Sequence, residues 1–379
     1  MRYKQVRNTL TEIPVIGQGC MGIGGYMSRD TTNDEEYIRA LRFGIDCGMS
    51  MIDTAESYGC GYSEELAGRA AAGIRDKVFI ATKVSPENLS YNNVIISAEN
   101  SLKRLKTDYI DLYQIHWPNP GISLHETMAA MEKLVEQGKI RFIGICNFSL
   151  KGLTKVEENL KKNTIFSVQT EYNLFDRSIE ENILPYCEQR GITVMAYSPL
   201  DQGRVADSYT RVESLKRIAN KYNKTIAQVA LQWIISRPVV VAIPKSVNGR
   251  HTKENADAAD LELTQADIEE INRVFRQDVL QISVDKICVI TGGQGNRQVY
   301  QTIEEAVENK LEFVPSPAEL AEDIKNGDML KPVRVVKRKT ESDQYEYDLI
   351  EGRIRYWAWV IAHKGKLPVP AYVMHGLKY

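Results

Sequence analysis

The chain is short of the features that mark the special classes of protein. Within its 379 residues no apolar run approaches the ~18 residues that a membrane span needs, so no membrane partner is expected. The formal net charge is only −2, too small to argue for nucleic acid or an anionic membrane surface. Cysteine is sparse and scattered, at Cys20, Cys47, Cys60, Cys146, Cys187 and Cys288, with no CxxC pair. A metal framework is therefore not expected, and a reducing compartment fits best. No apolar segment follows Met1-Arg2-Tyr3-Lys4-Gln5, so no secretory leader is expected and the expected location is cytoplasmic. The glycine-rich Gly292-Gly293-Gln294-Gly295 lacks the following Lys-Ser/Thr of a P-loop.

What is present is a rhythm. The composition, 43% hydrophobic and 26% charged, is that of an ordinary globular protein. From about Ile13 to Phe275, short apolar runs alternate with longer amphipathic ones. The runs Ser50–Asp53, Val78–Lys83, Ile110–His116, Ile140–Ile145, Ile165–Gln169, Thr193–Tyr197 and Val239–Ile243 read as buried parallel strands, and an eighth is expected near Val15–Gln18. Helical spacing is seen in Glu35–Cys47, Val94–Leu105, His125–Gln137 and Ile179–Arg190. Eight βα units over ~250 residues predict an α/β fold, a (β/α)8 TIM barrel. Gly17-Gln18-Gly19-Cys20-Met21-Gly22 spells GxGxxG. It lacks an acidic residue closing a following strand at the distance a doubly wound dinucleotide fold requires. The rhythm changes after Phe275, and a boundary is expected near Asp278. The barrel is thus assigned to 1–278 and a small α+β unit to 279–379. In that unit Gln281–Ile290, Val333–Lys337, Tyr347–Ile350 and Val369–Val373 read as strands, and Thr302–Asn309 and Ala318–Ile324 as short helices.

Four polar residues stand at or just past the ends of three successive strands. Asp53 closes Met49–Asp53, with Tyr58 five residues on; Lys83 closes Val78–Lys83; His116 closes Asp111–His116. A barrel's active site lies at this face. A carboxylate, a phenol, an ammonium and an imidazole would meet at one mouth, whereas each alone has an ordinary structural reading.

These segments resemble the aldo-keto reductase family. The matching residues are Ile52-Asp53-Thr54-Ala55-Glu56-Ser57-Tyr58-Gly59, Ala81-Thr82-Lys83, Gln114-Ile115-His116-Trp117-Pro118, Ile143-Gly144-Ile145-Cys146-Asn147-Phe148, Ala196-Tyr197-Ser198-Pro199-Leu200 and Ile243-Pro244-Lys245-Ser246. The resemblance runs from about Met1 to Arg276. It implies carbonyl reduction, or the reverse alcohol oxidation, with NADPH as cofactor, NADH being the alternative, and a small carbonyl compound as substrate. Tyr58 is implied as general acid, Lys83 as the cation that lowers its pKa, Asp53 as the partner that keeps Lys83 charged, and His116 as the group that polarises the carbonyl oxygen. Trp117 would wall the substrate pocket. Asn147 and Gln169 resemble the carboxamide-gripping residues, with Cys146 in place of the usual serine before that asparagine. Tyr197 resembles the ring under the nicotinamide, and Ser198, Pro199 and Leu200 the pyrophosphate loop. Lys245, Ser246, Asn248, Glu254 and Asn255 resemble the pocket for the adenosine 2′-phosphate. His251 stands where an arginine is common, with Arg250 one place early.

The stretch Ser316–Val373 resembles the ParB/sulfiredoxin-like domain, through Ala318–Ile324, Leu330–Val335 and Leu349–Ala358. That resemblance implies a phosphate-binding Gly-x-x-Arg turn, here Gly352 and Arg355, and a nucleotide or phosphorylated ligand. Arg353 stands where sulfiredoxins keep a catalytic cysteine, so sulfiredoxin chemistry is not expected. No helix-turn-helix follows up to Tyr379, so DNA is not an expected partner. Two alternatives stay open: a regulatory protein that senses NADP(H) and signals through the second unit, and a second unit that transfers phosphoryl groups.

Overall fold

The computed structural model describes residues 1–6, 9–206, 212–276, 278–290, 299–328, 331–338 and 345–374. Gly292–Gly295 and Leu330 lie outside them. The chain divides into two compact units, one made of Met1–Asp207 with Arg211–Phe275 and one beginning at Arg276.

The first unit opens with a hairpin, β1 (Tyr3–Gln5) against β2 (Glu12–Pro14), which the apolar rhythm does not announce. Eight parallel strands follow: β3 (Gln18–Gly19), β4 (Met51–Asp53), β5 (Phe79–Val84), β6 (Ile110–Ile115), β7 (Ile140–Cys146), β8 (Ile165–Glu171), β9 (Thr193–Tyr197) and β10 (Val240–Ala242). They pair in chain order. The sheet closes where Ile16 bridges Ala242, with Gly17 donating to the Ala242 carbonyl at 2.8 Å and Ala242 to the Val15 carbonyl at 2.9 Å. This is the expected barrel. The GxGxxG run belongs to its seam: a Cβ on Gly19 would stand 2.8 Å from the Ile243 carbonyl. The glycine is required by close backbone approach at closure, not by a pyrophosphate.

Strand periodicity decides what faces inward. Met51, Phe79, Ala81, Leu112, Phe166, Met195 and Val241 form one buried cluster, and Val6 and Ile13 of the hairpin region join it. Phe142 and Phe166 stack at 4.4 Å between ring centroids. This apolar layer fills the barrel's interior below its mouth. The segment read as one helix, Ile179–Arg190, is a 3-10 turn (Ser178–Glu181) and then a helix (Ile183–Arg190). Asn182 leaves helical geometry between them and accepts from the Ile183 N–H, so it caps the second piece.

The second unit is built on a five-stranded mixed sheet, ordered β11-β15-β13-β14-β12. Its strands are β11 (Leu280–Ile282), β12 (Ile287–Val289), β13 (Val333–Lys337), β14 (Tyr347–Glu351) and β15 (Val369–Met374). The stretch expected as one strand, Gln281–Ile290, is therefore two. The turn Val284–Lys286 separates them, and they lie on opposite edges of the sheet. The helix Pro317–Lys325 starts with a capping box between Ser316 and Glu319. The helix Arg353–His363 follows β14 through Gly352, whose φ is +88°. Its own small core includes Tyr300, Val335, Leu349, Tyr356 and Trp357. Among the described residues, no helix is long and apolar enough to cross a membrane.

Gly68, in the helix Tyr62–Ala71, sets the approach of that helix to the end of the helix Tyr91–Leu105. A Cβ there would press into the backbone carbonyl of Leu105. Alanine normally stabilises a helix interior by about 1 kcal/mol over glycine. Here overpacking against unyielding backbone, about 1–3 kcal/mol, decides the sign. Gly68→Ala is expected to lower the denaturation midpoint, and a midpoint at or above that of the wild type would refute the packing argument.

Candidate active site

The inward positions at the strand ends carry polar groups instead of the apolar layer below them. Two residues after inward Met51 comes Asp53, two after Ala81 comes Lys83, and four after Leu112 comes His116. The residues implicated by sequence as catalytic thus converge. Lys83 is fully buried and Asp53 nearly so, with Nζ 2.6 Å from Asp53 Oδ2. Lys83 Nζ also donates to the Thr54 carbonyl at 2.8 Å and to the Tyr58 hydroxyl at 3.5 Å. These three acceptors match the three donors of an ammonium. The other Asp53 oxygen accepts from Gln169 Nε2 at 2.7 Å and Gln114 Nε2 at 3.4 Å. Tyr58 and His116 meet edge to face, with ring centroids 5.6 Å apart.

Burial shapes the electrostatics. For Lys83, burial is the largest single influence and opposes the charge, but the Asp53 carboxylate and its hydrogen bond, with Tyr58 and Cys146 beside them, together outweigh it, and the ammonium is held well above its ordinary pKa. His116 is pushed down to about 3, chiefly by burial and then by the Lys83 charge. The Cys146 thiol is buried and raised by that burial. Tyr58 corrects the sequence-based expectation. Lys83 does pull its pKa down, but burial pushes it up by more, so the phenol lies above its ordinary value. Tyr58 is therefore a protonated phenol at neutral pH, and the ammonium beside it is placed to stabilise the charge left after a proton departs.

Around this cluster Asn147 takes a left-handed backbone conformation, φ +64°, which asparagine tolerates. Its amide donates to the His116 carbonyl at 3.0 Å and accepts from the Tyr197 hydroxyl at 3.0 Å. Ser198, also at positive φ, is held by Asn173, whose amide donates to its carbonyl at 3.1 Å. Pro199 and Leu200 continue that loop. Trp117 is exposed, directly after His116. A separate group forms the start of the helix Gly249–Asp257. There Asn248 caps the N–H groups of Arg250 and His251, and Ser246 donates to the Asn248 carbonyl at 3.0 Å. Lys245 and Arg250 are exposed, Glu254 lies 3.7 Å from Arg250, and Asn255 is buried. In the second unit, Arg355 donates to the carbonyls of Lys331 (2.8 Å) and Pro332 (3.0 Å). Its guanidinium folds back over Gly352 and fastens backbone.

Sequence reasoning missed Thr54, Gln114 and Ser57. Ser57 Oγ lies 3.4 Å from His116 Nδ1. Gln114 carried a usable signal: it stands two residues before His116, hence on the same face of β6.

The Aldo/keto reductase family matches residues 15–276. Methylglyoxal reductase YeaE of Escherichia coli (strain K12) is 39% identical over 264 residues, covering 69% of this chain and 91% of the relative. Glyoxal reductase of Bacillus subtilis (strain 168) is 36% identical over 259 residues, 67% of this chain and 89% of the relative. The crystal structure of an aldo/keto reductase from Klebsiella pneumoniae in complex with NADP and acetate superposes with a TM-score of 0.65 at 38% identity. It covers 70% of this chain and 92% of that one.

Because the His116 pKa is lowered, its ring is expected to stay neutral between about pH 5 and 8. Side-chain NMR of histidine-labelled protein checks this. A His116 resonance titrating near the ordinary imidazole value, about 6.5, would refute the burial argument.

Proposed function

The chain belongs to the aldo/keto reductase family, and we propose that it uses NADPH to reduce small aldehydes and ketones, with α-oxoaldehydes such as methylglyoxal as the substrate class. The reverse oxidation of an alcohol runs through the same groups. One observation carries the reading: a buried Lys83–Asp53 pair with the Tyr58 hydroxyl in reach of the ammonium, at the mouth of a closed barrel. The substrate class is supported by the names of the two bacterial relatives.

The donor chemistry fits NADPH. Asn147 and Gln169 offer amides for a carboxamide; with Gln169 Nε2 given to Asp53, its Oε1 is the atom left to accept from one. The ring of Tyr197 would lie against the nicotinamide, and Ser198, Pro199 and Leu200 would take the pyrophosphate. Two cations and a hydroxyl at a helix start, Lys245, Arg250 and Ser246, suit a dianionic phosphate, with Asn248, Glu254 and Asn255 completing that pocket. When bound, NADPH supplies the hydride that the carbonyl carbon takes up. Tyr58 gives its proton to the carbonyl oxygen. The Lys83 ammonium stabilises the resulting phenolate, and neutral His116 orients and polarises the oxygen. Trp117 walls the pocket and limits water.

Tyr58→Phe removes the proton and keeps the ring. General acid catalysis is worth about 10²- to 10⁴-fold, and a loss of that size in kcat is expected, with the Kd for NADPH nearly unchanged. A variant that keeps more than half of wild-type turnover on methylglyoxal would end the assignment.

For the C-terminal unit we infer a ParB/sulfiredoxin-like turn that takes a phosphate-bearing ligand at Gly352 to Arg355. The positive φ of Gly352 and the helix that starts beside it support the reading. Arg355 must leave the Lys331 and Pro332 carbonyls to join such a contact, so the helix N–H groups would meet the anion first. Calorimetry of the full chain saturated with NADPH, titrated with ADP and ATP, is expected to show a second binding event. No heat at millimolar nucleotide would reduce the turn to a structural one.

A further inference from the structure

Behind the barrel wall, on the outer side of β5, lies a charged network that the reaction above does not use. The turn that carries Tyr58 is flanked by two carboxylates, Glu56 before it and Glu64 six residues after it. Glu64 reaches Thr82 of β5 and Glu56 reaches Ser85 just past its end, on either side of Lys83. Glu64, fully buried, accepts from the Thr82 hydroxyl at 2.5 Å. Glu56 accepts from the Ser85 backbone N–H at 2.7 Å and from Asn88 Nδ2 at 3.0 Å. The backbone adds a rung, with the Glu56 N–H donating to the Lys83 carbonyl at 3.3 Å.

Arg104, at the end of the helix Tyr91–Leu105, joins the two carboxylates. Its Nε donates to Glu64 at 2.5 Å, and its Nη2 stands 4.0 Å from Glu56. Nη2 also bonds Ser101 Oγ at 3.2 Å. The side chain lies directly beneath the Tyr58 turn. A Cβ on Gly61 would be 2.6 Å from Arg104 Cδ and 2.7 Å from its Nε. Gly61, at φ +88°, is thus the residue that lets the guanidinium stem pack against the turn.

We propose that Arg104 is a positioning residue for the proton donor: through Glu64 and Glu56 it brackets the Tyr58 turn onto the strand that carries Lys83. None of its residues is among those assigned above to substrate or cofactor. Its effect is on one separation, the 3.5 Å between Tyr58 and Lys83, which belongs to two different segments and has no covalent tie. A buried carboxylate held on both oxygens has one low-energy geometry, and the two carboxylates fix the turn at both its ends. A misplacement on the order of 1 Å remote from the chemistry costs up to about 10²-fold in rate, so the bracket has leverage that its distance from the mouth hides.

The inference rests on Tyr58 being the proton donor, and the test separates the two. Removing Arg104 alone would strand a buried carboxylate, so the variant is the double Arg104→Met, Glu64→Gln, which leaves neither charge. With methylglyoxal and NADPH, well below the thermal midpoint, kcat is expected to fall about 10- to 100-fold. The KM for methylglyoxal and the Kd for NADPH are expected to stay near wild type. Arg104→Lys, which keeps a cation for Glu64, is expected to recover most of the loss. A folded double variant with more than half of wild-type kcat, while Tyr58→Phe is inactive, overturns the bracket and leaves the reductase reading intact. An active Tyr58→Phe overturns the reductase assignment instead. If the double variant does not fold, Glu56→Gln carries the test, since it leaves the Arg104–Glu64 pair in place. A several-fold fall in kcat with unchanged NADPH affinity supports the bracket, and an unchanged kcat overturns it.

Discussion

Lys83 and Asp53 are enclosed together at the top of the barrel, and neither charge could be held there alone. Taking a single ion out of water costs several kcal/mol, and breaking a buried pair by removing one partner typically costs about 3–5 kcal/mol. The pair is tolerated because its valences are filled. The ammonium has Asp53, Thr54 and Tyr58; the second carboxylate oxygen has Gln169 and Gln114. That filling fixes more than the pair. It ties β4, β5, β6 and β8 at one level of the barrel and aims the Tyr58 hydroxyl.

The state of the other groups follows. An ammonium that cannot lose its proton repels a second one, which adds to burial in keeping His116 neutral. The same burial that raises Tyr58 guards its proton until a base of suitable strength appears. The mouth therefore carries one positive and one negative charge that compensate, surrounded by neutral donors. Such a site does little for a neutral carbonyl in the ground state and much for an oxygen that is gaining charge. The start of the helix Gly249–Asp257 works differently. Its cations Lys245 and Arg250 are exposed, so their field is open to screening by salt, unlike that of the enclosed pair.

The residue types at the strand ends made the barrel and its mouth legible. Period-two alternation in Met51–Asp53 or Ala81–Lys83 says which side chain points inward, and four chemically apt residues in succession are hard to read otherwise. Quantities that depend on three-dimensional enclosure were not legible. The sign of the Tyr58 shift is one: the sequence shows a lysine nearby in the fold but not how much water is excluded around the phenol. The break in Gln281–Ile290 is another. Its residues suit a strand throughout, and only the sheet order shows that its halves serve opposite edges. Likewise Gly352-x-x-Arg355 is a readable pattern, but the direction in which Arg355 turns is set by the carbonyls of Lys331 and Pro332, 24 and 23 residues earlier.

Arg104 falls in the same class, and so does a second pairing on the outer wall. Asp111, nearly buried on β6, accepts from Arg75 at 2.7 Å, from Arg141 on β7 at 2.6 Å and from the Ile80 N–H of β5 at 2.9 Å. It neutralises and links three strands or their approaches, as Glu64 links β5 to two helices. Apolar layers alone specify register weakly, because Ile, Val and Leu two positions apart are nearly interchangeable. A buried carboxylate matched to particular arginines is not interchangeable, since a slip of two residues would leave an unpaired charge inside the wall. The inner pair sets the chemistry, and these outer pairs give the strands the single register in which Asp53, Lys83 and His116 arrive at the same height.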